Sequence, residues 1–262
     1  MSKILFCITT YNQLEYTKYF YDSMQKVDDV SYDLLVVDDF SSDETVEWCK
    51  DNGINVIEKE KPEGLTHSWN LAYNYFKDSS YDYLIIANND VLVPNGALSE
   101  LVSVFERYPA SVVVPMSSKK GVGHNPVQAI DAHFQGTTTQ SEDPQAHQAL
   151  QDMLMEYKKV LKEKKDLFML DPFRMKHFNG FFFMFNRNVI NYEDPEGWLF
   201  DPSNLMVKNE DTFNWRVLLV HDDNAWMCKT SFIYHWKGVS TGKAFDNFKE
   251  KANNKEWINN RQ

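Results

Sequence analysis

Nothing in the 262-residue sequence approaches the roughly 18 consecutive apolar residues that a membrane-spanning helix needs. The first apolar run, Ile4 to Ile8, is also shorter than the core of a secretory leader, so the expectation is a soluble protein. Cysteine is scarce. Cys7, Cys49 and Cys228 are odd in number and show no metal-type spacing, which argues for core thiols in a reducing, cytoplasmic setting rather than a disulfide framework. Basic residues are outnumbered, 27 Lys and Arg against 38 Asp and Glu, for a net charge of -11. That balance argues against a general affinity for nucleic acid or anionic membrane, because phosphate backbones are gripped by clustered Lys and Arg. The sequence has no GxGxxG and no P-loop, so any nucleotide must be held by other means.

What the chain does contain is an alternation of strands and helices. Tyr83 to Ala87 is a continuous apolar run suited to a strand buried on both faces of a parallel sheet, and it stops at Asn88-Asn89-Asp90. Three polar residues ending a buried strand either close a turn through local backbone bonds or serve a ligand, since open α/β sheets bind ligands at the carboxyl ends of their strands. The stretch alone leaves both readings open. The same plan recurs in KILFCITT, which ends in Thr9-Thr10-Tyr11-Asn12 before a helical pattern over Leu14 to Met24. It recurs again in a strand over Leu34 to Val37, an acidic turn at Asp38-Asp39 and a helix start at Ser42-Asp43-Glu44. A strand over Ile54 to Ile57, a turn at Pro62-Glu63-Gly64, helices over Thr66 to Phe76 and Gly96 to Tyr108, and a strand over Ser111 to Val114 follow. Strands separated by helices of about ten residues require crossover connections, and so predict a mostly parallel, Rossmann-like α/β sheet.

The second half is less regular. Residues 115–140 are rich in Ser, Gly, Thr and Pro and read as a long loop or irregular insertion. Leu150, Met153, Leu154, Tyr157, Val160 and Leu161 recur at helical spacing, which predicts an amphipathic helix within about 144–166 that packs on the domain. The aromatic run Phe178 to Phe185 reads as a strand of core residues with a glycine, Gly180, where close backbone approach or a bulge fits. Asn209-Glu210-Asp211 opens a helix to about Val220, and Trp226 to Trp236 reads as a strand. The polar tail from Lys243 carries Phe245, Phe248, Trp257 and Ile258 as docking residues.

Several of these segments together resemble the family 2 glycosyltransferases of the GT-A fold. The matching stretches are ITTYN at 8–12, VVDDFSSDET at 36–45, Gly64 to Asn70, the Asn88-Asn89-Asp90 turn, FNGFFFMFNR at 178–187, LFDPSNLMVKNEDTFNWR at 199–216, and His235. They occur in the family's order, with 115–175 and the tail unmatched. The resemblance implies one GT-A domain, a mostly parallel Rossmann-like sheet flanked by helices with a smaller mixed acceptor-side region. In it, residues 1–115 form the nucleotide-sugar half, 116–242 the acceptor and catalytic half, and 243–262 a tail. It also implies transfer of a sugar from a nucleotide-diphosphate donor to an acceptor hydroxyl on a glycan or other molecule, with inversion and a divalent metal.

Each matched residue then has an expected role. Mn²⁺ or Mg²⁺ would neutralise the diphosphate, and such hard ions favour oxygen ligands, few of them from protein. Asp90 is the expected ligand; relatives carry two acids at this turn, whereas here one formal charge remains, with Asn89 set to reach the ribose and His235 as the second metal or phosphate contact. For a lone His beside Trp236, the residues by themselves favour a packed core histidine. Asp39 resembles the reader of the uracil imide hydrogen, a sensible use of an acceptor-only carboxylate, with Asp38 beside it. Tyr11 is placed to stack on the base, Thr9 to contribute backbone contacts, and Asn70 to lie along the donor groove with His67. Gly180 would bring backbone amides to the sugar. Asp211 aligns with the family's general base, although Asn209 to Asp211 would also serve as an ordinary helix start.

These expectations converge on an inverting, metal-dependent glycosyltransferase using a UDP-sugar. A nucleotidyltransferase is weakened by the missing basic phosphate loop. A non-catalytic sugar-nucleotide-binding or scaffold protein is a different class that the single-acid turn keeps open. An enzyme glycosylating nucleic acid is disfavoured by the charge.

Overall fold

Alternation along one strand explains how the molecule divides. β1 (Lys3–Thr10) is buried from Ile4 onward. Its side chains point to opposite faces in turn, Leu5 and Cys7 into one core and Ile4, Phe6 and Ile8 into another. β2 (Ser31–Asp38) and β4 (Tyr83–Asn88) divide in the same way, with Leu35, Val37, Leu84 and Ile86 on the first side and Val36, Ile85 and Ala87 on the second. Burial on both faces is the reason these strands read as unbroken apolar runs. The structure, a computed structural model, describes residues 2–117, 173–175, 177–204, 209–219 and 225–236.

Helix α1 (Leu14–Met24) follows β1, α2 (Thr45–Asp51) follows β2, and β3 (Asn55–Glu58) completes that side. The chain then crosses back through α3 (Leu65–Lys77) to β4, the short β5 (Val91–Leu92), α4 (Ala97–Arg107) and β6 (Val112–Met116). Beyond these come β7 (Phe173–Met175), β8 (Phe182–Asn186), a 3₁₀ turn at Arg187–Tyr192, and α5 (Asn209–Phe213), which continues as a π-helical turn at Asn214–Leu219. β9 (Ala225–Phe232) and β10 (Tyr234–His235) end the described chain. The main sheet has the order β3-β2-β1-β4-β8-β6-β9-β7, and β10 pairs with β5 in a second small sheet. β8 and β7 run against the other six strands, so the sheet is mostly parallel, as expected.

Phe20 and Met24 of α1 and Leu98, Leu101 and Val104 of α4 cover one face. Trp69, Ala72, Tyr73 and Phe76 of α3 cover the other, joined by Phe178, Phe183, Phe185, Phe200 and Phe213. These rings meet at centroid separations of 5.0 Å (Trp69–Phe200) to 6.3 Å (Phe185–Phe200), mostly tilted or edge-on, the arrangements aromatic quadrupoles favour. The aromatic run is therefore core, as its composition predicts. It is not one strand, however: Phe178 to Phe181 lie outside any strand and β8 starts only at Phe182. Helix Leu14–Met24 matches its expected limits, while the helix from Asn209 changes to π geometry after Phe213. The strand expected over Trp226 to Trp236 divides at Ile233, because β10 leaves the main sheet to pair with β5. The expected helix within 144–166, most of the 115–140 insertion and the tail lie outside the described residues.

Candidate active site

The chain order reverses at β1, with β2 on one side and β4 on the other, so the loops leaving the two neighbours part at the carboxyl ends of the strands, the position where open α/β sheets form a ligand crevice. The expected residues gather there because the register demands it: Thr10 is paired with Asp38 and Thr9 with Asn88. Side chains stitch the loops together. The Asp38 carboxylate accepts from Thr10 Oγ1 (2.8 Å) and from the Ser41 amide (2.7 Å) and hydroxyl. Asn12 Oδ1 accepts from the Ser42 amide at 2.7 Å, and Asp43 receives the Leu14 amide while also accepting from the Thr45 amide at the start of α2. Asn12 (φ 56°), Gln13 (φ 66°) and Phe40 (φ 67°) hold left-handed backbone in these two loops, a conformation disfavoured by the Cβ atom and kept here by the surrounding bonds.

Asp39 is buried and faces Lys59. Its Oδ1 lies 2.7 Å from Lys59 Nζ and accepts from the Glu63 amide at 2.8 Å, while Oδ2 accepts from the Gly64 amide at 2.9 Å. Lys59 in turn donates to Gly64 O at 3.1 Å. Burial pushes the Lys59 ammonium below the ordinary lysine range, with Asp39 opposing that shift. One carboxylate oxygen takes two donors comfortably, so Oδ2 retains capacity for another. Thr9 Oγ1 is buried without a hydrogen-bond partner among the described residues, and Tyr11 is half-buried.

At the end of β4, Asp90 and His235 come together, as their shared assignment requires. Asp90 Oδ1 lies 3.2 Å from His235 Nε2, and the two residues are only 2% and 4% exposed. The β5–β10 pairing sets this contact, aided by the bond from Trp236 N to Asp90 O at 3.1 Å. The His235 ring stacks on Phe181, 4.9 Å between centroids and 12° from parallel, so packing and polar contact occur in one residue. Asn88 Nδ2 lies 3.4 Å from the same Nε2. A protonated Nε2 donates to Asp90; a deprotonated one accepts from Asn88 and is the form that ligates metals. Asn89, expected to reach the ribose, turns its Nδ2 toward α1. It is buried and donates to Thr17 Oγ1 of α1 at 3.1 Å. Asn88 is thus a neighbour of the Asp90–His235 pair.

Asn70 is also occupied with structure. Its Oδ1 accepts from the amides of Leu199 (3.1 Å) and Phe200 (2.9 Å), and its Nδ2 donates to Phe200 O (2.7 Å), which pins the segment before α5 onto α3. His67 Nδ1 lies 3.0 Å from Glu63 Oε2, four residues earlier in the chain. Gly180 precedes β8, beside the end of β4, and its amide donates to Glu210 Oε1 at 3.0 Å. A Cβ at this glycine would lie 2.7 Å from Trp69 Cη2 and 3.0 Å from Glu210 Cδ, so the close approach read from the sequence is real. Burial pushes the Glu210 carboxyl above the ordinary range, opposed by the hydrogen bond from Gly180. Asp211, the next residue, is exposed. The Glu210–Gly180 bond thus ties the first turn of α5 to the residue two positions before β8.

Lys59 and Glu210 carry no signal of their own in the sequence. Lys59 looks no different from Lys61 two residues on, and only burial separates them; Glu210 is recognisable only as the neighbour of Asp211. An open groove of about 430 Å³ beside Ile57, Leu71, Tyr75 and Tyr81 contains none of the expected residues.

A family model described as glycosyl transferase family 2 matches residues 5–193. The chain belongs to glycosyl transferase family 2. Asp211 and His235 fall beyond the matched span. Among solved structures, the 1–349 segment of S. aureus TarS aligns with a TM-score of 0.57 and 14% identity, covering 90% of this chain and 60% of that one. PcManGT from Pyrobaculum calidifontis, solved with GDP-Man and Mn²⁺, aligns with a TM-score of 0.57 and 13% identity over 90% of this chain and 57% of its own. These glycosyltransferase neighbours establish the GT-A fold for the family 2 chain, which spans about 60% of their length. No curated protein sequence matches it. Among the described residues no helix is long and apolar enough to cross a membrane, and no group of three or more His, Cys, Asp or Glu is placed to hold a metal ion.

Proposed function

We propose that the chain is an inverting glycosyltransferase that moves a sugar from a nucleoside-diphosphate donor, UDP-sugar first, to an acceptor hydroxyl. The observation that carries this reading is the Asp90–His235 contact of 3.2 Å at the crevice end of β4 in a family 2 chain. One carboxylate and one imidazole fit a divalent cation that completes its shell with donor phosphate oxygens and water, the usual habit of ions that take few protein ligands. Bound there, Mn²⁺ or Mg²⁺ would offset charge on the leaving diphosphate.

The remaining roles belong to protein groups. Asp39 Oδ2 accepts the imide N–H of uracil, Tyr11 stacks on the base, and Thr9 and Asp38 shape the floor beneath it. Asn70 and Asn89 act by holding the walls, and Gly180 lets the backbone approach the sugar. Asp211 removes the acceptor proton; the acceptor oxygen bonds to the anomeric carbon from the opposite side, and the bond to phosphate breaks with its electron pair leaving on the nucleoside diphosphate. That PcManGT was solved with GDP-Man, and that TarS was also solved with UDP, sets the range of donors to try.

The test is a screen of UDP- and GDP-sugars for hydrolysis in the absence of acceptor, with and without Mn²⁺. Metal-dependent release of a nucleoside diphosphate supports the reading. Calorimetric UDP binding that ignores Mn²⁺, with no donor hydrolysed, supports the non-catalytic sugar-nucleotide-binding reading instead, which the single-acid turn favours.

A further inference from the structure

Trp215 is 64% exposed, more than any other large hydrophobic residue of the described chain. A single exposed hydrophobic residue is ordinary on a protein surface. Its surroundings are not. Phe213, Val217 and Leu218 on the same turn are buried, and Asn214 is tied to Phe178 through both ends of its side-chain amide, accepting from Phe178 N at 3.2 Å and donating to Phe178 O at 3.3 Å. Arg216 donates to Leu199 O at 2.7 Å, reaches Asp194 at 3.4 Å, and lies 4.4 Å from the centre of the Trp198 ring. The backbone on both sides of Trp215 is therefore clamped, and the indole is held out from a rigid base. The residue also lies in a π-helical turn, Asn214–Leu219, a rare geometry that inserts an extra residue into a helix and recurs at functional sites.

Asp211 is four residues earlier and also exposed. With either α or π winding, residues four apart lie within roughly 40° of each other around the axis, so the two share a face. From these observations, and resting on the assignment of Asp211 as base, we infer that Trp215 is a stacking platform for a sugar ring of the acceptor, making the acceptor a saccharide. A pyranose ring carries a face of C–H groups with hydroxyls around its edge. That apolar face fits an indole that loses little conformational freedom on binding, and a hydroxyl at the ring's edge then points along the helix toward the Asp211 carboxylate.

The experiment uses the full chain with UDP and Mn²⁺ on an array of immobilised oligosaccharides and of peptides, comparing wild type, Trp215→Ala and Trp215→Phe. Saccharide binding by wild type, a loss of about tenfold or more in Trp215→Ala, and substantial retention in Trp215→Phe are expected, a loss that corresponds to about 1.4 kcal/mol. Donor hydrolysis without acceptor stays within about twofold in both variants, since the platform touches only acceptor. The inference is overturned by saccharide binding that survives Trp215→Ala, by wild type capturing peptides but no saccharide, or by parallel loss of donor hydrolysis. Absence of donor hydrolysis in wild type defeats the proposed activity separately, because array binding and its dependence on Trp215 are read without turnover.

Discussion

Asp39 and Asp211 are both acids assigned to the proposed site, yet they are held in opposite ways. Asp39 is buried, ion-paired with Lys59 and bonded to two backbone amides; Asp211 is exposed at the first turn of α5. Asp38 and Asn70 belong with Asp39, their polar atoms spent on Thr10, Ser41 and the Leu199–Phe200 backbone. Under the proposed function, the difference separates residues that build and shape the site from one left open to a substrate. A general base must be reachable by its substrate, whereas a group that reads a base edge gains from being fixed in advance.

The sharpest way to break that division is Asp211→Asn. It should lower transfer by about 10²- to 10⁴-fold and leave UDP affinity within about twofold, measured by turnover and calorimetry. Turnover retained in this variant would remove Asp211 from the chemistry. Asn70→Ala tests the building class: it leaves the Leu199 and Phe200 backbone groups buried and unpaired, and should cost about 2–3 kcal/mol in denaturant unfolding. A loss confined to donor affinity, with stability untouched, would return Asn70 to the ligand. Asp90→Ala stands between the classes, and should weaken Mn²⁺-dependent UDP binding by about tenfold or more while metal-free binding changes little.

The smallest effect concerns Glu210. Its folded value lies above the ordinary carboxylate range, so between the two values the folded chain holds more protons than the unfolded one. Its contribution to stability therefore falls as pH rises through that window. Glu210→Gln removes the penalty and keeps an acceptor for the Gly180 amide. Its melting temperature relative to wild type should rise with pH above the unfolded value of 4.5, and a pH-independent difference would show that burial does not govern this carboxyl.

Strands β1, β2 and β4 were legible in the sequence because burial on both faces writes itself as a continuous apolar run. β5 and β7, of two and three residues, are too short to leave a pattern. The cluster of Thr9, Asp38, Asp39, Asp90 and His235 was legible through family resemblance, and the structure gathers these residues at the strand ends. The partners of individual polar groups were not. Asn70 and Asn89 look like ligand contacts in sequence, yet their side-chain amides also bond a backbone segment and a neighbouring hydroxyl, partners that only the packing of α3 and α1 reveals. Lys59 was hidden for the same reason, since no local pattern distinguishes a buried lysine from an exposed one.

β8 runs between β4 and β6, bonded to both in antiparallel register. The halves drawn at residue 115 in the sequence therefore share backbone hydrogen bonds across their seam, and neither is a separable module. A fragment ending at Met116 would leave Leu84 to Ala87, a fully apolar strand edge, as an open template for strand addition, and would be expected to aggregate rather than bind nucleotide. The same continuity makes β4 and β8 one backbone unit, so the Asp90 turn and the Gly180 amide that holds Glu210 are positioned together when the sheet folds.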